Sequence, residues 1–433
     1  MMSLKSIAQI TAILISAAAC FGQDFYVSTS GSDENPGSRE KPFLTIARAR
    51  DAVRELIPQM DQDITVHAAA GDYILDEAIV FTDRDSGNNG YKVYYRSSGG
   101  PGKARLLGGR RLTGWSKVDD NIWKINLPDI QSCHTLYENG KRIRKARYPN
   151  YEFEPDFPTA AGVYLKSVTG STKQQATPTE SWIIAVQEDL DKVPDDFGTM
   201  KINIFPWGKC DWHRWICSVT AIDRSTAKIT FNNDRDDTPM VPSYGEPKGD
   251  RARARYFLEE HRAFLDAPGE FYFDTTEKVL YLIPQSKAHP DKLSIVLPVL
   301  DDIIRFEGSS MTSLVHDIEI DGLAFEYSKA ISPTRFWWAQ EWGYTDHALV
   351  WMNNAERITL RNCHLKNSGR NGIMIVGQNS HHLVSGCWIE QMGVNGITLS
   401  NWSAPVMEQS DDAARRYILF CFFEVLTARN YFT

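Results

Sequence analysis

Two stretches near the C-terminal end of the chain share one pattern of apolar and polar positions. The first runs from Ile358 to Ile375 and the second from His382 to Leu399, so that Ile373 and Ile397 stand 24 positions apart. Each stretch has short apolar runs of period 2 separated by Asn-Gly pairs, and neither has the period of an amphipathic helix. The repeat predicts a parallel β-solenoid, in which a coil buries its apolar face only by stacking on the next.

The same pattern extends upstream. The segment from Asp346 to Trp351 aligns with the one that begins at Arg370, and Asp301 to Phe306 fits with looser spacing. Ile318 to Phe325 aligns with Ile358 to Leu365, which places Leu323 at the position of Cys363. We therefore predict an all-β protein whose main body is a right-handed parallel β-helix with 24 residues per coil.

Other segments predict a cap and an inserted domain. Thr45 opens an amphipathic helix through Leu56, with one apolar face, and such a helix would cover the open end of the solenoid. From 103 to 297 the repeat disappears and strand and turn signals such as Asn139-Gly140 dominate, which predicts an antiparallel β-sandwich-like domain. The predicted division is a signal peptide (1–22), a cap with the first coils (23–102), the inserted domain (103–297), further coils (298–405) and an aberrant or truncated tail (406–433).

The N-terminus predicts export. Lys5 precedes an apolar run and small residues, the layout of a secretory signal peptide, and the run is too short to span a membrane. We expect a secreted or periplasmic protein; a lipoprotein anchored through Cys20 is the alternative. Of the 7 cysteines, Cys210 and Cys217 form either a local disulfide or two separate thiols, and Cys363 and Cys387 are expected to stack as buried thiols.

Composition limits the partners. A net charge of −8 gives no electrostatic footprint for nucleic acid, and no further apolar segment reaches spanning length. We expect no cofactor; a structural Ca²⁺ at Asp33, Glu34 and Asn35 competes with a simple Gly/Pro turn. The oligomeric state stays open.

Polar residues directly before the inward-facing strands predict a ledge along the solenoid. Asp301, Asp302, Asp346, His347 and Arg370 belong to it. Since neighbouring coils lie about 4.8 Å apart, Asp302 and Asp346 are expected within about 5–6 Å, the range for the carboxylate pair of a retaining glycosidase. Arg370 would favour the ionised form of one carboxylate. The alternative is a row of hydrophilic corner residues without a catalytic role.

An aromatic insertion precedes Asp346. Indole and phenyl faces are stacking surfaces for sugar rings, so these residues are candidates for substrate binding; the alternative is that they pack against the inserted domain. The candidates are Phe336, Trp337, Trp338 and Trp342. Asn371 and Asn395 are interpreted as left-handed corner residues or as an asparagine ladder.

Four segments resemble a known family of secreted right-handed β-helix proteins with an inserted β-sandwich. The resemblance covers residues 24 to 405 and is carried by Tyr26 to Ile46, Gly108 to Trp115, Leu136 to Pro149 and Leu265 to Tyr281. The chain is most similar to the β-helix glycoside hydrolases that include α-L-fucosidases and xylanases, with the β-helix β-xylosidases as a second relation. In such relatives the catalytic acids lie in later coils, to which this chain has no matching positions.

Three functions are compatible with these features. The leading hypothesis is a glycoside hydrolase that acts on a polysaccharide or oligosaccharide through Asp346 and Asp302, with Asp301, His347 and Arg370 beside them. The second is a polysaccharide lyase that uses a Lys or Arg base with Ca²⁺. The third is a non-catalytic carbohydrate-binding or inactive truncated fragment.

Overall fold

The computed structural model describes nine parts of the chain. They are residues 24–150, 164–172, 175–177, 179–206, 214–232, 241–242, 253–286, 288–330 and 347–400. Several predictions fall outside these residues and are not tested by the fold: the signal peptide, Cys20, Cys210, Asp346, the aromatic residues Phe336, Trp337, Trp338 and Trp342, and the tail 406–433.

The predicted N-terminal helix is confirmed. Helix α1 spans Ile46–Leu56, and the Thr45 side chain accepts a hydrogen bond from the Arg48 backbone N–H at 3.1 Å. This cap satisfies one of the helix's unpaired N–H groups. The buried face of α1 packs into the main core beside the first strands. Short 3₁₀ turns occur at Ile57–Gln59, Asp83–Asp85, Gln187–Lys192, Arg262–Phe264 and Pro290–Lys292.

The first strands pair in parallel. They are β1 (Asp24–Val27), β2 (Ile64–Ala68), β3 (Gly71–Ile74), β4 (Ile79–Thr82), β5 (Val93–Ser97) and β6 (Ala104–Leu107). Strand β1 pairs with β2 and β2 with β5, whereas β3 pairs with β6. Strand β6, which lies within the segment 103–297 predicted as the inserted domain, also pairs in parallel with the later strand β25 (Leu323–Ser328).

Sixteen strands follow within the described residues, and we use the name inserted domain for them. They are β7 (Gly109–Arg111), β8 (Ser116–Lys117), β9 (Trp123–Asn126), β10 (Leu136–Glu138), β11 (Lys141–Lys145), β12 (Arg147–Tyr148), β13 (Leu165–Lys166), β14 (Thr169–Gly170), β15 (Ser181–Ile184), β16 (Lys201–Phe205), β17 (Trp215–Asp223), β18 (Lys228–Asn232), β19 (Arg255–Glu259), β20 (Glu270–Asp274), β21 (Val279–Ile283) and β22 (Ile295–Pro298). One sheet has the order β7-β22-β10-β11-β20-β21-β9-β8, and the other has β12-β19-β16-β17-β18-β15-β14 with β13 on β19.

The two sheets of the inserted domain share a core. Residues of the second sheet, such as Ile202, Tyr256 and Phe231, cluster with Ile283 of the first sheet. The predicted hairpin at Asn139-Gly140 joins β10 to β11; both residues have positive φ (50° and 77°), as the tight turn requires.

The chain then returns to parallel strands. They are β23 (Ile304–Glu307), β24 (Val315–Asp321), β25 (Leu323–Ser328), β26 (Ala348–Arg361), β27 (His364–Ser368), β28 (Asn371–Ser380), β29 (Leu383–Ser385), β30 (Trp388–Glu390) and β31 (Ile397–Ser400). Together with β1–β6 they make a ten-stranded sheet and a five-stranded sheet of order β3-β6-β25-β27-β30, which we call the parallel stack. A continuous apolar core lies inside it.

The strand pairing supports most of the alignment between coils and corrects one part. Ile373 pairs with Ile397, and Ala324 with His364, which brings Leu323 level with Cys363 as predicted. Ala348, however, pairs with Asn371, so the segment at Asp346 is one residue out of step with the segment at Arg370. The unit between β26 and β28 is one residue shorter than the 24-residue repeat, as the pairing of Val350 with Ile373 shows.

The left-handed corners differ from those predicted. Asn354, Asn362 and Asn367 have φ values of 54°, 52° and 60°, whereas Asn371 and Asn395 are not among the residues with positive φ in the described chain. Asn371 instead joins two coils, because its Oδ1 accepts hydrogen bonds from the Asn395 N–H and from the Thr398 hydroxyl. Its carboxamide therefore works as a link between coils and not as a corner.

The protein is thus mostly β, with parallel strands in the stack and mainly antiparallel pairs in the inserted domain. In the described residues, no helix has both the length and the apolar character needed to cross a membrane.

Candidate active site

Adjacent parallel strands bring three of the predicted polar residues to one edge of the stack. Asp302 lies just before β23, His347 just before β26 and Arg370 just before β28. These strands pair directly, with Ile304 level with Val350 and Val350 level with Ile373. Asp302, His347 and Arg370 therefore lie at one edge of the stack, and Asp346, one residue before His347, lies outside the described residues.

Asp302 is the most constrained residue of the ledge. Its side chain is 4% exposed. Oδ1 accepts a hydrogen bond from the Ala348 N–H at 2.8 Å, and Oδ2 accepts from His347 Nδ1 at 2.8 Å and from Arg305 Nη1 at 2.5 Å. With three donors on a buried carboxylate, Asp302 holds the neighbouring strand and orients the imidazole of His347.

The His347 side chain is more exposed to solvent than the Asp302 side chain. Its side chain is 30% exposed, and Asp302 engages Nδ1. Since a carboxylate accepts hydrogen bonds, Nδ1 carries the proton toward Asp302, which leaves Nε2 as the nitrogen that can meet a ligand. A buried carboxylate behind a partly exposed imidazole is an arrangement that can set the tautomer of a proton-transfer group.

Arg305 joins two carboxylates, and the sequence analysis did not single it out. Its guanidinium contacts Asp302 and also Glu307, with Nε to Oε1 at 2.6 Å. Burial lowers the pKa of Arg305, but Asp302 and Glu307 outweigh this and raise it above the ordinary value. The outward position of Arg305 on β23, between two inward apolar residues, is the signal that was available in the sequence.

Trp351 is a second residue that the sequence analysis did not name as a site residue. The Arg305 guanidinium lies 4.9 Å from the ring centre, which is within cation–π range. Trp351 pairs with Arg305 and Met374 along the outer face of the sheet, and it is 6% exposed. Among the described residues, its indole N–H is a buried donor with no hydrogen-bond partner.

The remaining ledge residues have structural contacts. Asp301 forms an ion pair with Lys329 at 3.0 Å. Arg370 is 5% exposed, its N–H donates to the Ser368 hydroxyl, and its carbonyl accepts from Gly393 and Val394 of the next coil. The backbone of Arg370 thus ties two coils together beside the ledge.

The inserted domain is anchored next to this edge. Arg142, on the hairpin of β10 and β11, donates to the Ser368 carbonyl at 2.5 Å and to the Gln391 carbonyl at 3.4 Å. The Tyr137 hydroxyl donates to the Asn367 carbonyl at 2.9 Å. The ledge is therefore bordered by a fixed element of the inserted domain.

The residues that the structure describes contain no group of three or more His, Cys, Asp or Glu side chains arranged to hold an ion. The Asp33 carboxylate, a Ca²⁺ candidate in the sequence, accepts hydrogen bonds from the backbone N–H groups of Leu44 and Thr45 and from the Thr45 hydroxyl. Asp33 thus fixes the loop before α1.

Comparisons with known proteins show similarity of fold. No family model and no curated protein matches the chain. Eleven solved chains match in structure. One named "Glycoside hydrolase" superposes with a TM-score of 0.71 at 18% identity, over 88% of this chain and 68% of that one. The chain therefore has a glycoside-hydrolase-like fold.

Two more distant matches have TM-scores too low to support an inference about this chain. A structure of XylC with xylose has a TM-score of 0.32 at 12% identity, and covers 87% of this chain and 56% of that one. The tailspike gp61 of Pseudomonas phage phi297 has a TM-score of 0.22 at 9% identity, with 82% and 42% covered.

Proposed function

We propose that this protein is a secreted carbohydrate-active enzyme that hydrolyses glycosidic bonds in a polysaccharide or oligosaccharide. We further propose that the parallel stack winds as a right-handed β-helix. The glycoside-hydrolase-like fold supports the class of activity. The observation that carries the proposal is the buried Asp302 carboxylate, which orients a partly exposed His347 at the edge of the stack.

The proposed catalytic roles rest on chain position for Asp346 and on hydrogen bonds for Asp302. Asp346 is our first choice for the carboxylate that meets the glycosidic oxygen, because it adjoins His347 in the chain. Asp302 is its partner on the ledge, and since its oxygens already accept from three donors, it acts through His347 and not by direct attack. Asp301 and Arg370 complete the charge pattern of the ledge.

Substrate stacking is proposed for the aromatic residues of the segment before Asp346. Trp337, Trp338, Trp342 and Phe336 precede Asp346 in the chain and supply flat apolar faces of the kind that sugar rings stack upon.

The substitution Asp346→Asn in the full chain tests the assignment. Turnover should be measured on a panel of xylan, fucosylated and pectic polysaccharides, by release of reducing ends and by ultraviolet absorbance of unsaturated products. Loss of a carboxylate that transfers a proton should lower the rate by about 10²–10⁴-fold. Asp72→Asn is the matched control, because Asp72 is an exposed carboxylate of the stack that pairs with Arg105.

Three other results would indicate a different site or a different function. Unchanged turnover in Asp346→Asn would overturn the site assignment. Products that absorb in the ultraviolet would instead indicate a lyase, since elimination leaves a double bond in the sugar. Retention of glycan by the unmodified protein without any release of sugar would indicate a non-catalytic binding role.

A further inference from the structure

A small pocket in the inserted domain has no part in the proposed reaction. It has a volume of about 40 Å³ and lies where the two sheets meet. Lys145 at the end of β11 and Tyr272 on β20 line it from the first sheet, and Glu260 directly after β19 lines it from the second. His134 and Ala146 complete the part of the wall used below. A single water needs roughly 10–15 Å³, so the pocket admits a group of a few heavy atoms.

Lys145 contacts two other residues of the pocket wall. Its ammonium donates to Glu260 Oε1 and to His134 Nδ1, the latter at 3.1 Å. Because Nδ1 accepts this bond, the His134 proton sits on Nε2. Burial lowers the pKa of Lys145, but Glu259 and Glu260 outweigh it and raise the pKa, so the side chain is a cation at neutral pH.

The charges of the pocket wall do not favour an anionic ligand. Burial, and then Lys145, lowers the pKa of His134 to about 4, so His134 is neutral at pH 7. The Lys145 ammonium is matched by the Glu260 carboxylate in the pocket wall, so no excess positive charge remains there for an anion. An anion would also meet the like charge of Glu260, at a cost that grows as the site excludes water.

A metal ion is disfavoured as well. Burial raises the pKa of Cys133 to about 12, so this neighbouring side chain is a thiol and not a thiolate ligand. The pocket also lacks a set of three ligating side chains among the described residues, and a cation at Glu260 would have to displace the Lys145 ammonium. The remaining class is a neutral ligand with both donors and acceptors.

We propose that this pocket is a second carbohydrate-binding site, which takes the hydroxyl-bearing edge of a neutral sugar between Lys145 and Glu260. It is separate from the ledge and goes beyond the proposed catalytic function.

The chemistry of a sugar edge matches the wall of the pocket. Each hydroxyl both donates and accepts, and adjacent hydroxyls present two such groups side by side. The Lys145 ammonium offers donors only and the Glu260 carboxylate offers acceptors only, so the ion pair can engage two neighbouring hydroxyls with opposite polarity. The pocket volume suits the edge of one ring and not a whole ring, which would remain at the surface.

Ala146 provides a local reporter for a binding test. Ala146 lines the pocket, whereas Ala355 is buried in the core of the stack. The full chain should be labelled with carbon-13 at alanine methyl groups and titrated with D-xylose, L-fucose and D-galacturonate. Affinity for one small subsite is expected in the millimolar range, so sugar should reach about 100 mM.

We expect D-xylose or L-fucose to shift the Ala146 methyl signal with saturation, while Ala355 stays unchanged and D-galacturonate binds more weakly. Lys145→Met and Glu260→Gln should each weaken binding about tenfold, because each removes a hydrogen bond to a charged group. Lys278→Met is the matched control, since Lys278 lies in the same domain and contacts Gln131 outside the pocket.

Several results would overturn the proposal. They are an Ala146 signal that does not respond to either neutral sugar, equal affinity in a folded Lys145→Met variant, and a preference for D-galacturonate. The titration of the unmodified protein decides the question even if Lys145→Met does not fold, and Glu260→Gln gives an independent variant that keeps a side chain of the same shape.

Discussion

The parallel stack and the inserted domain satisfy their buried polar groups in different ways. In the stack, the Ser328 and Ser368 hydroxyls contact each other at 2.9 Å across adjacent strands, and Asn371 accepts from Asn395 on the next coil. In the inserted domain, Lys145 meets Glu260, which lies 115 positions away in the chain. The comparison teaches that a repeat can supply a polar group with a partner at the same level of the next coil, whereas a domain without a repeat needs partners specific to its own topology.

The core of the stack should show the largest mutational effect. Phe306 is fully buried and stacks on Phe81 of the neighbouring strand, with ring centres 5.2 Å apart. Phe306→Ala should lower the free energy of unfolding by about 3–5 kcal/mol, through lost burial and a cavity. Urea denaturation with hydrogen exchange on both regions would measure this. The largest loss of protection is expected in β4, β23 and β26.

The exposed Ile74 provides the control for this substitution, because it is 66% exposed and its change to Ala should have little effect. If the amides of β16 in the inserted domain lost as much protection as those of β23, the two regions would unfold as one unit and the contrast between them would fail.

The contact between the two regions should give the next largest effect. Arg142 donates from the inserted domain to the carbonyls of Ser368 and Gln391 in the stack. Arg142→Met should cost about 1.5–3 kcal/mol, because it removes hydrogen bonds from a charged group. Hydrogen exchange should report the loss at the ends of β27 and β30, and Lys141→Met, on the exposed side of the hairpin, serves as control. Equal effects of the two substitutions would contradict a role for Arg142 in joining the regions.

The pH dependence of stability should differ between the regions. In the inserted domain, burial raises the pKa of Glu270 from 4.5 to about 7. The folded state then holds this proton more tightly than the unfolded chain, so the contribution to stability declines as pH rises from 4.5 to 7. Glu270→Gln should remove this decline, as measured by urea denaturation across that range.

In the stack, His382 should make the free energy of unfolding change with pH in the opposite direction. Burial lowers the pKa of His382 from 6.5 to about 4, and its Nδ1 accepts from the Ile358 N–H. The unfolded chain takes up this proton first, so stability present above pH 6.5 is lost as pH falls toward 4. The lowered pKa of His134 has the same effect as that of His382, although His134 lies in the inserted domain. The quantity to compare is therefore the change in pH dependence caused by Glu270→Gln, and not the total pH dependence of stability. An unchanged slope in Glu270→Gln would refute the assignment to that carboxyl.

Sequence patterns predicted the fold better than the site. The helix at Ile46–Leu56, the Asn139-Gly140 hairpin and the level of Leu323 with Cys363 all follow from local signals: a cap, a turn that needs positive φ, and alternation. The shift at Ala348 and Asn371 was missed because a spacing counted along the chain does not reveal a unit that is one residue shorter. A one-residue shift matters, since it exchanges the two faces of a strand.

The environment of Asp302 depended on contacts that the sequence does not display. Arg305 and Glu307 are ordinary alternating polar residues of a strand, and their convergence with Asp302 arises from side-chain conformations in the folded state. The partners of Lys145 were equally hidden, because they come from distant segments of a domain without a repeat.

The most direct test of the proposed ledge is a double-mutant cycle on kcat/KM with Asp302→Asn, His347→Ala and the double variant, on the substrate found in the polysaccharide panel. Since we propose that Asp302 acts through His347, we predict that each single change lowers kcat/KM by about 10²–10⁴-fold and that the double variant is no less active than the less active single variant. His381→Ala, at an exposed histidine of the same stack, should leave kcat/KM unchanged. Losses that multiply in the double variant, or full activity in His347→Ala, would contradict the proposed pair.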